Sequence, residues 1–344
     1  MIVTQAVDRE DPNLGAFYYW FELLAKHASS VTILAGRAGS QDLPPHVAVY
    51  TFGNARLGRI GRLWKFWELF SRHYASADAV LFHQIPEYVI AASPFLLSRR
   101  SITALWYAHG AVSWRLRIAE RLVGYIFTSS EAGFRLASKK VHHLGQAINT
   151  DIFSPAANHH GAVSSNYLRL ITVGRIAPVK NYETIITACA ILRETWPQAW
   201  VLTIVGGPIT PSDHMYGAKI KALIREKKLE QYVHFCGDRG YSEIPDILRE
   251  HDMFLNASAT GSLDKAVLEA MACGLTVLTS NEAYRAILPA RYFLEHASAA
   301  FLAERIKACA GEPRPNMTLR DIVLRDHALA RTIEKISVLL ATPV

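Results

Sequence analysis

The sequence predicts an α/β fold in which short strands alternate with helices over two successive halves. Apolar, β-branched runs of strand length recur along the chain, and segments with helical periodicity separate them. Such alternation is typical of parallel sheets with helical crossovers. Half of the 344 residues are hydrophobic, and a polar stretch of small residues interrupts the pattern near the middle. The length therefore suits two domains, each with its own core.

Composition restricts the partners and the compartment. The net charge of +7 suits an anionic substrate or membrane surface, and it is too small and too scattered to predict a nucleic-acid partner. The four cysteines lie far apart, with no histidine at metal-binding spacing, which predicts buried thiols in a reducing cytosol and no metal site. Acidic residues between Asp8 and Asp11 interrupt any signal peptide, and the most apolar stretch contains two prolines. We therefore expect a cytoplasmic protein without a cofactor.

The first half opens with a strand and a glycine-containing turn. Met1–Val7 is the first predicted strand, and Val31–Leu34 and Val47–Thr51 are the next two. A helix is predicted for Ala16–Lys26, directly after Gly15. A glycine at this point lets a ligand approach the backbone, but glycines are also common in plain turns, so both interpretations of Gly15 stay open.

Residues Arg56–Arg72 form a basic amphipathic segment. Arg59, Arg62 and Lys65 recur every three residues, and leucine, isoleucine, tryptophan and phenylalanine lie between them. This pattern suits peripheral association with an anionic membrane, here the inner face of the cytoplasmic membrane. The alternative is an ordinary helix that packs its aromatic face into the domain, and the sequence does not decide between the two.

The remaining strands of the first half place a histidine at a strand end. Predicted strands are Ala79–Phe82, Thr103–Tyr107, Tyr125–Ser129 and Val141–Ile148. His109 follows the second of these, where the ring points into the ligand crevice of a parallel sheet. A lone histidine is more often structural, so its position makes it a candidate acid, base or sugar contact.

A composition change marks the predicted domain boundary. The stretch Ala156–Asn166 is rich in small and polar residues and lies between two strand signals. We therefore predict domains over residues 1–160 and 161–325, followed by a C-terminal helical segment, 326–344.

The second half begins with a candidate anion-binding loop. The strand Leu168–Val173 ends in Gly174 and Arg175, and Lys180 follows shortly before the helix Tyr182–Thr195. Two fixed cations beside a glycine, where a strand leads into a helix, favour a diphosphate. For either cation alone, a solvated surface charge would be the more common explanation.

Further strand–helix units complete the second half. The strand Trp200–Val205 is followed by the helix Tyr216–Lys228 and the strand Val233–Phe235. Gly237 comes directly after that strand and leaves room beside the backbone for a flat ligand such as a nucleobase. The helix Ser242–Arg249 follows.

The segment Thr260–Gly274 is a loop that opens into a helix between two strands. Met253–Asn256 precedes it and Leu275–Thr279 follows it, so the helix starts at the carboxyl end of a strand. The macrodipole and the backbone N–H groups favour an anion there. Lys265 and Glu269 lie one helical turn apart, which by spacing alone also fits a surface ion pair.

Several ordered motifs resemble the retaining glycosyltransferases of family 4. The runs that carry the likeness are VHHLGQAINTDIFSP, LRLITVGRIAPVKNYETIITACAIL, WVLTIVGGP, VHFCGD and EAMACG. The resemblance implies a GT-B fold, in which two Rossmann-like domains face across a cleft. The N-terminal domain would take the acceptor, and the C-terminal domain the sugar nucleotide. The C-terminal helix would pack back on the N-terminal domain.

The resemblance also implies roles for individual residues. Arg175 and Lys180 match the pair that grips the donor diphosphate, and Glu269 matches the acid that binds the ribose hydroxyls. His109 matches the histidine that contacts the sugar near the anomeric carbon, and Gly15 falls in the loop near the phosphates. The chain has no Asp-x-Asp motif, which agrees with a family that uses these cations in place of a metal ion.

One position departs from the family pattern. Such enzymes carry two glutamates with seven residues between them, and the first would fall at residue 261, which here is Gly261. That carboxylate is thought to hydrogen-bond the transferred sugar. Its loss implies either a different sugar contact, in a loop reshaped by Asp264 and Lys265, or a protein with weak or no transferase activity. We expect the charge of Lys265 to offset that of Asp264 beside a diphosphate.

Three functions follow as hypotheses. The first is a hexosyltransferase that uses a UDP- or GDP-sugar and a glycan or lipid-linked acceptor in cell-surface polysaccharide or glycolipid synthesis. The second, motivated by Gly261, is a catalytically silent GT-B protein that binds a sugar nucleotide or a partner transferase. The third, a nicotinamide-dependent oxidoreductase, is weakened because no Gly-x-Gly-x-x-Gly run follows the first strand of either half.

Overall fold

The computed structural model describes residues 1–11, 14–53, 57–97, 101–156, 167–258 and 261–341. The chain forms two compact units. One contains Met1–Asn149 and Ala328–Val344, and the other contains Thr150–His327. Each unit is built on one parallel sheet, as the alternation of strands and helices predicts.

The first unit has a seven-stranded sheet with the strand order β3-β2-β1-β4-β5-β6-β7. All its strand pairs are parallel. Its strands are β1 (Ile2–Val7), β2 (Val31–Ala38), β3 (Val47–Thr51), β4 (Ala79–His83), β5 (Ile102–Trp106), β6 (Tyr125–Thr128) and β7 (Val141–His143). Its helices are α1 (Tyr18–Ala25), α2 (Arg59–Tyr74), α3 (Pro86–Leu96), α4 (Trp114–Leu122) and the C-terminal α11 (Leu329–Ala341).

The second unit has a five-stranded sheet with the order β10-β9-β8-β11-β12, again parallel throughout. Its strands are β8 (Tyr167–Val173), β9 (Ala199–Val205), β10 (Val233–Gly237), β11 (Met253–Asn256) and β12 (Thr276–Thr279). Its helices are α5 (Tyr182–Thr195), α6 (Pro211–Glu226), α7 (Ile244–Arg249), α8 (Lys265–Ala272), α9 (Ala299–Cys309) and α10 (Met317–Asp326). In each sheet the strand that comes first in sequence lies inside the sheet, and the strand order reverses direction next to it. The reversal falls between β1 and β4 in the first sheet and between β8 and β11 in the second.

The units divide at Asn149, earlier than the composition change suggests. The residues after this point are tied to the second unit by hydrogen bonds. Arg249 Nη2 donates to the carbonyl of Ile152 at 2.5 Å, and Arg320 Nη1 donates to that of Phe153 at 3.1 Å. Apart from Ala156, the stretch proposed as a linker lies outside the described residues.

Within the described residues, the C-terminal segment 326–344 holds one helix, α11. Helix α10 ends at Asp326, and α11 begins at Leu329 in the first unit. The N–H of Leu329 donates to the carbonyl of Ile148 at 2.7 Å, and Thr332 Oγ1 donates to that of Leu144 at 2.8 Å. The break at residue 327 therefore lets the chain join the first unit beside β7.

Helix α2 occupies most of the basic amphipathic segment. Its buried face carries Phe66 and Phe70, which pack in the core of the first unit with residues of β1, β2, β4 and α3. Its first turns differ, because the side chains of Ile60 and Trp64 are 74% and 65% exposed. The aromatic face thus packs inward as one alternative predicts, and an exposed apolar edge remains at the start of the helix.

Candidate active site

The polar side chains predicted in the second half converge at the carboxyl ends of β8 and β11. These strands are neighbours, and the connections after them run to opposite sides of the sheet order. In open α/β sheets such a switch point is where ligands bind, because the two loops separate there and leave a crevice.

A glycine shapes the loop after β8. Gly174 has φ +152°, and a Cβ added to it would lie 3.3 Å from Cε of Lys180. The Tyr182 hydroxyl donates to the Gly174 carbonyl at 3.0 Å. The loop therefore folds over the start of α5 and carries the Lys180 side chain across the glycine backbone.

Lys180 is ion-paired with Asp264. Its ammonium donates to Oδ2 of Asp264, and the two side chains are only 18% and 11% exposed. Asn256, the last residue of β11, donates to the same carboxylate oxygen at 3.1 Å. Thr279 Oγ1 in turn donates to Asn256 Oδ1 at 2.8 Å. Residues from two strand ends, Asn256 and Thr279, and from one helix start, Asp264, thus fix the position of the ammonium.

Arg175 is the more accessible of the two cations. Its side chain is 43% exposed, and Nε lies 3.8 Å from Asp213 Oδ2. Asp213 is a capping residue of α6 and accepts from the backbone N–H of Thr210 at 3.0 Å. Backbone hydrogen bonds, foremost that from Thr210, hold the pKa of Asp213 below its usual range. Because the Asp213 carboxylate caps α6 and lies 3.8 Å from Arg175, it does not occupy the guanidinium, which can still bind an anion.

Glu269 is buried behind this loop. Its side chain is 5% exposed, which does not fit a surface ion pair. The Tyr241 hydroxyl donates to Glu269 Oε1 at 2.9 Å. Burial raises the pKa of the Glu269 carboxyl, although Lys265 and Tyr241 both act to lower it. Burial also lowers the pKa of Lys265 to about 8, against the attraction of Glu269. A buried acid and a half-buried base with perturbed pKa values beside a crevice are typical of a functional site.

Hydrogen bonds from the residues after β12 hold the loop before α8. Asn281 Nδ2 donates to the Ser262 carbonyl at 2.8 Å, and the Tyr284 hydroxyl donates to that of Asp264 at 2.6 Å. Gly261 has φ +64°, a left-handed conformation that suits glycine and strains a glutamate. Thr260, the first residue of the predicted motif, lies outside the described residues.

Gly237 borders open space at the end of β10. Its φ is +70°, and no described atom lies within 4 Å of a Cβ added there. The N–H of Gly206 donates to the Gly237 carbonyl at 2.8 Å, which joins the ends of β9 and β10. Gly237 is exposed, so the space beside it is open to solvent.

Gly15 and His109 lie in the first unit, after β1 and β5. Gly15 is buried and starts a single 3₁₀ turn, and its N–H donates to the Asp11 carbonyl at 2.9 Å. His109 is exposed, and its Nδ1 accepts from the N–H of Ala111 at 3.1 Å. Because Nδ1 accepts, the neutral ring carries its proton on Nε2 and presents it as a donor.

Sequence reasoning missed Asn256, Asn281, Tyr241 and Tyr284. Asn256 had a local signal, since it is the one polar residue in an otherwise apolar strand. The other three had no such signal, because they reach the site from loops and turns far along the chain. Within the described ranges, no group of three or more histidine, cysteine or acidic residues suits a metal ion. No helix there is long and apolar enough to cross a bilayer.

The site residues of the second unit fall within a region that matches a known family. Residues 159–302 match the model of glycosyl transferases group 1. Mannosylfructose-phosphate synthase of Agrobacterium fabrum is 30% identical over 128 residues, and the amylovoran biosynthesis glycosyltransferase AmsK of Erwinia amylovora is 32% identical over 123. These stretches cover 36% and 33% of this chain, but only 28% of each relative.

A solved structure is similar over the whole chain. HepE of Anabaena, crystallised with UDP and glucose, superimposes with a TM-score of 0.76 and covers 99% of both chains. Its sequence is 16% identical, so the likeness establishes the fold, which is GT-B.

Proposed function

Because this chain carries a glycosyl transferases group 1 region on a GT-B fold, we propose that it is a retaining hexosyltransferase. The donor is a UDP- or GDP-sugar, and the acceptor is a hydroxyl of a glycan or lipid-linked molecule in cell-surface polysaccharide or glycolipid synthesis. The observation that carries the proposal is the convergence of Arg175, Lys180 and the buried Glu269 at the carboxyl ends of β8 and β11.

Arg175 and Lys180 bind the donor diphosphate in this proposal. Their two charges match its phosphates, and the guanidinium fork suits phosphate oxygens. The ammonium has three donors, so Lys180 can keep Asp264 and still contact the ligand. As the glycosidic bond breaks, negative charge gathers on the departing diphosphate, and the fixed cations stabilise it.

Glu269 and Gly237 bind the nucleoside. An ionised Glu269 accepts hydrogen bonds from the ribose hydroxyls, and the Tyr241 hydroxyl orients its carboxylate. The open space beside Gly237 accommodates the base. Gly174, which gives the loop its close turn, lets the phosphates approach the backbone.

The transfer proceeds on one face of the sugar. The bond from the anomeric carbon to the diphosphate oxygen breaks, and a bond to the acceptor oxygen forms on the same side. The acceptor proton passes to the leaving diphosphate, whose basicity grows as it departs. The proposal assigns His109 a hydrogen bond from Nε2 to the sugar, and it assigns Gly15 to the loop that faces the phosphates. In this proposal the two cations neutralise the leaving group in place of a metal ion, so we expect EDTA to leave turnover unchanged.

The test is nucleotide release from UDP- and GDP-hexoses over a panel of acceptors. We expect Lys180→Ala to weaken UDP binding about tenfold or more, because a charge-assisted hydrogen bond contributes about 1.5–3 kcal/mol. Lys219→Ala is the matched control, since Lys219 is 68% exposed and pairs with Glu183 on the surface of the same unit. Equal binding by both variants and the wild type would remove Lys180 from the donor site.

Gly261 supports a second candidate, a GT-B protein that binds a sugar nucleotide or a partner transferase without turnover. The first carboxylate of the family motif is missing at this position. UDP-sugar binding with nucleotide release at background over the full acceptor panel favours this function. Preferential binding of NAD, titrated in parallel, would refute both candidates.

The exposed edge of α2 supports peripheral contact with the inner face of a membrane. Ile60 and Trp64 are exposed beside the basic side chains of Arg59, Arg62 and Lys65. Tryptophan and basic residues together suit the interface of an anionic bilayer. This contact would bring the enzyme to a lipid-linked acceptor.

A further inference from the structure

A cavity of about 610 Å³ lies within the first unit, apart from the residues assigned to the donor. It borders β1 and β2 and lies between the segment after β3 and the helices α2 and α3. Its lining combines basic side chains with an apolar wall, and the residues that matter below are Arg59, Arg62, Phe52, Phe66, Tyr88 and Ala91.

Two of the charged side chains that line the cavity are already neutralised. Arg37 is ion-paired with the buried carboxylate of Asp11. Glu87 has its carboxylate 3.3 Å from the guanidinium of Arg115. These pairs add no net charge to the cavity.

Arg59 and Arg62 supply an excess of two positive charges. Within the described residues neither has a carboxylate partner, and Arg62 Nε donates only to the Leu57 carbonyl at 3.1 Å. Both lie at the start of α2, where Gly58 provides no side-chain cap and the first turn has no acidic residue. Cations at a helix N-terminus oppose the macrodipole, so an anion bound there would relieve two unfavourable interactions at once.

The wall opposite is aromatic and offers a hydroxyl. The rings of Phe66 and Tyr88 are stacked with centroids 6.3 Å apart, and Phe52 meets Phe66 edge-on at 5.3 Å. The Tyr88 hydroxyl has no hydrogen-bond partner among the described residues. The hydroxyl oxygen lies 3.4 Å from the position that a Cβ on Gly36 would take. The absence of a side chain at Gly36 therefore leaves space beside the Tyr88 hydroxyl.

We propose that this cavity binds the phosphate of a phosphorylated acceptor, with the apolar or pyranose part of the molecule against the aromatic wall. Two guanidinium groups match a phosphomonoester dianion, and Tyr88 donates to a third oxygen. That the bound molecule is the acceptor depends on the proposed transferase function. Phosphate binding by the cavity does not depend on it. The phosphate comes from a lipid-linked carrier or from a soluble sugar phosphate, which share this chemistry.

The experiment is calorimetric titration of the full chain in saturating UDP, which occupies the donor site. The probes are farnesyl phosphate and glucose 1-phosphate, each compared with its neutral counterpart, farnesol or glucose. Arg59→Gln/Arg62→Gln removes the two charges, and Ala91→Phe fills the cavity without changing charge. Arg117→Gln/Arg121→Gln is the matched control, because it removes two exposed arginines from α4 of the same unit.

We expect one of the two phosphorylated probes to bind at least about tenfold more tightly than its neutral counterpart. Arg59→Gln/Arg62→Gln and Ala91→Phe should each weaken this binding about tenfold or more, whereas Arg117→Gln/Arg121→Gln should leave it unchanged. Tighter binding of farnesyl phosphate identifies a lipid-linked source, and tighter binding of glucose 1-phosphate a soluble one. Absence of binding by the wild type, an equal loss in the control, or unchanged binding by Ala91→Phe overturns the proposal. Turnover of a UDP- or GDP-hexose, measured separately, tests the transferase function whichever result is obtained.

Discussion

Lys180 and Asp264 are 84 residues apart and share one ion pair at the end of the second sheet. Beside a diphosphate, an aspartate is unfavourable unless its charge is compensated. The structure compensates it twice, through the Lys180 ammonium and through the Asn256 amide. The pair therefore holds the ammonium in place before any ligand arrives, and such preorganisation lowers the ordering cost of binding.

The raised pKa of Glu269 predicts that donor binding depends on pH. In the proposed site the ribose hydroxyls donate to the ionised carboxylate, so binding would favour the deprotonated form. We expect UDP affinity to fall as the pH is lowered from about 8 to about 5, beginning at a higher pH than for an ordinary carboxyl. Calorimetric titration of UDP across this range measures the effect.

Glu269→Gln is the control for that profile. It retains any titration of the ligand phosphates, whose pKa is about 6, but removes that of the carboxyl. We expect it to weaken UDP binding about tenfold or more and to flatten the remaining pH dependence. Tyr241→Phe removes a hydrogen bond to the ionised form and should move the midpoint to higher pH. Identical profiles for Glu269→Gln and the wild type would contradict the assignment.

Substitutions of Gly261 test whether the missing carboxylate limits sugar transfer. Its φ of +64° means that any side chain there costs about 1–2 kcal/mol of unfolding free energy. We expect Gly261→Ala and Gly261→Glu to lose similar stability in urea denaturation, and only Gly261→Glu to raise the rate of nucleotide release. Equal rates in the two variants would show that this position does not determine activity.

At the scale of the element, α2 has two distinct parts. Phe66 and Phe70 anchor it in the core, while its first turns expose Ile60 and Trp64. Helical periodicity alone cannot separate a core-facing stripe from a membrane-facing one, because both need apolar residues on one side. The structure assigns the stripe to the core and leaves only the first turns for an outside partner.

Replacing the exposed apolar residues of α2 tests membrane contact. We expect Ile60→Ser/Trp64→Ser to reduce flotation with anionic vesicles severalfold, because buried apolar area contributes about 25 cal/mol per Å². Ile209→Ser/Met215→Ser is the control, since these side chains are 57% and 76% exposed on the second unit. Loss of flotation in both variants, or in neither, would contradict a specific contact through α2.

At the scale of the whole molecule, the C-terminal helix α11 belongs to the first unit, although it follows the second unit in sequence. Helix α11 packs on α1 and β5, and it buries Leu329, Ile333 and Ile336 in the first unit. The first unit thus includes residues 1–149 and helix α11, so we expect α11 to contribute to its stability. The hydrogen bond from Thr332 to the Leu144 carbonyl is buried and fixes the helix against the segment after β7.

Ile336→Ala should therefore destabilise the first unit. The side chain is fully buried, and removal of such a group costs about 2–5 kcal/mol of unfolding free energy. Val338→Ala, on the same helix and 61% exposed, should change it by no more than about 0.5 kcal/mol. Urea denaturation of the full chain compares them, and equal losses would show that α11 is not part of the core.

The local sequence pattern predicted most helices and strands of the fold and some residues of the candidate site. Strand runs ending in glycine or polar residues predicted the positions of Gly174, Arg175, Lys180 and Glu269, because strand ends and helix starts have local sequence signals. Element boundaries differ by a few residues. Gly15–Phe17 is a 3₁₀ turn rather than the first turn of α1, and the C-terminal helix begins at Leu329 rather than at Asp326.

By itself, the sequence determined two successive α/β halves, the likeness to group 1 glycosyltransferases, and the cations and acid of the candidate donor site. Only the tertiary structure decided which side chains meet. The ion pair of Lys180 with Asp264, the support from Asn281 and Tyr284, and the cavity beside Arg59 join residues distant in sequence. Periodicity describes neighbours along a strand or helix, whereas strand order and loop packing determine contacts between elements.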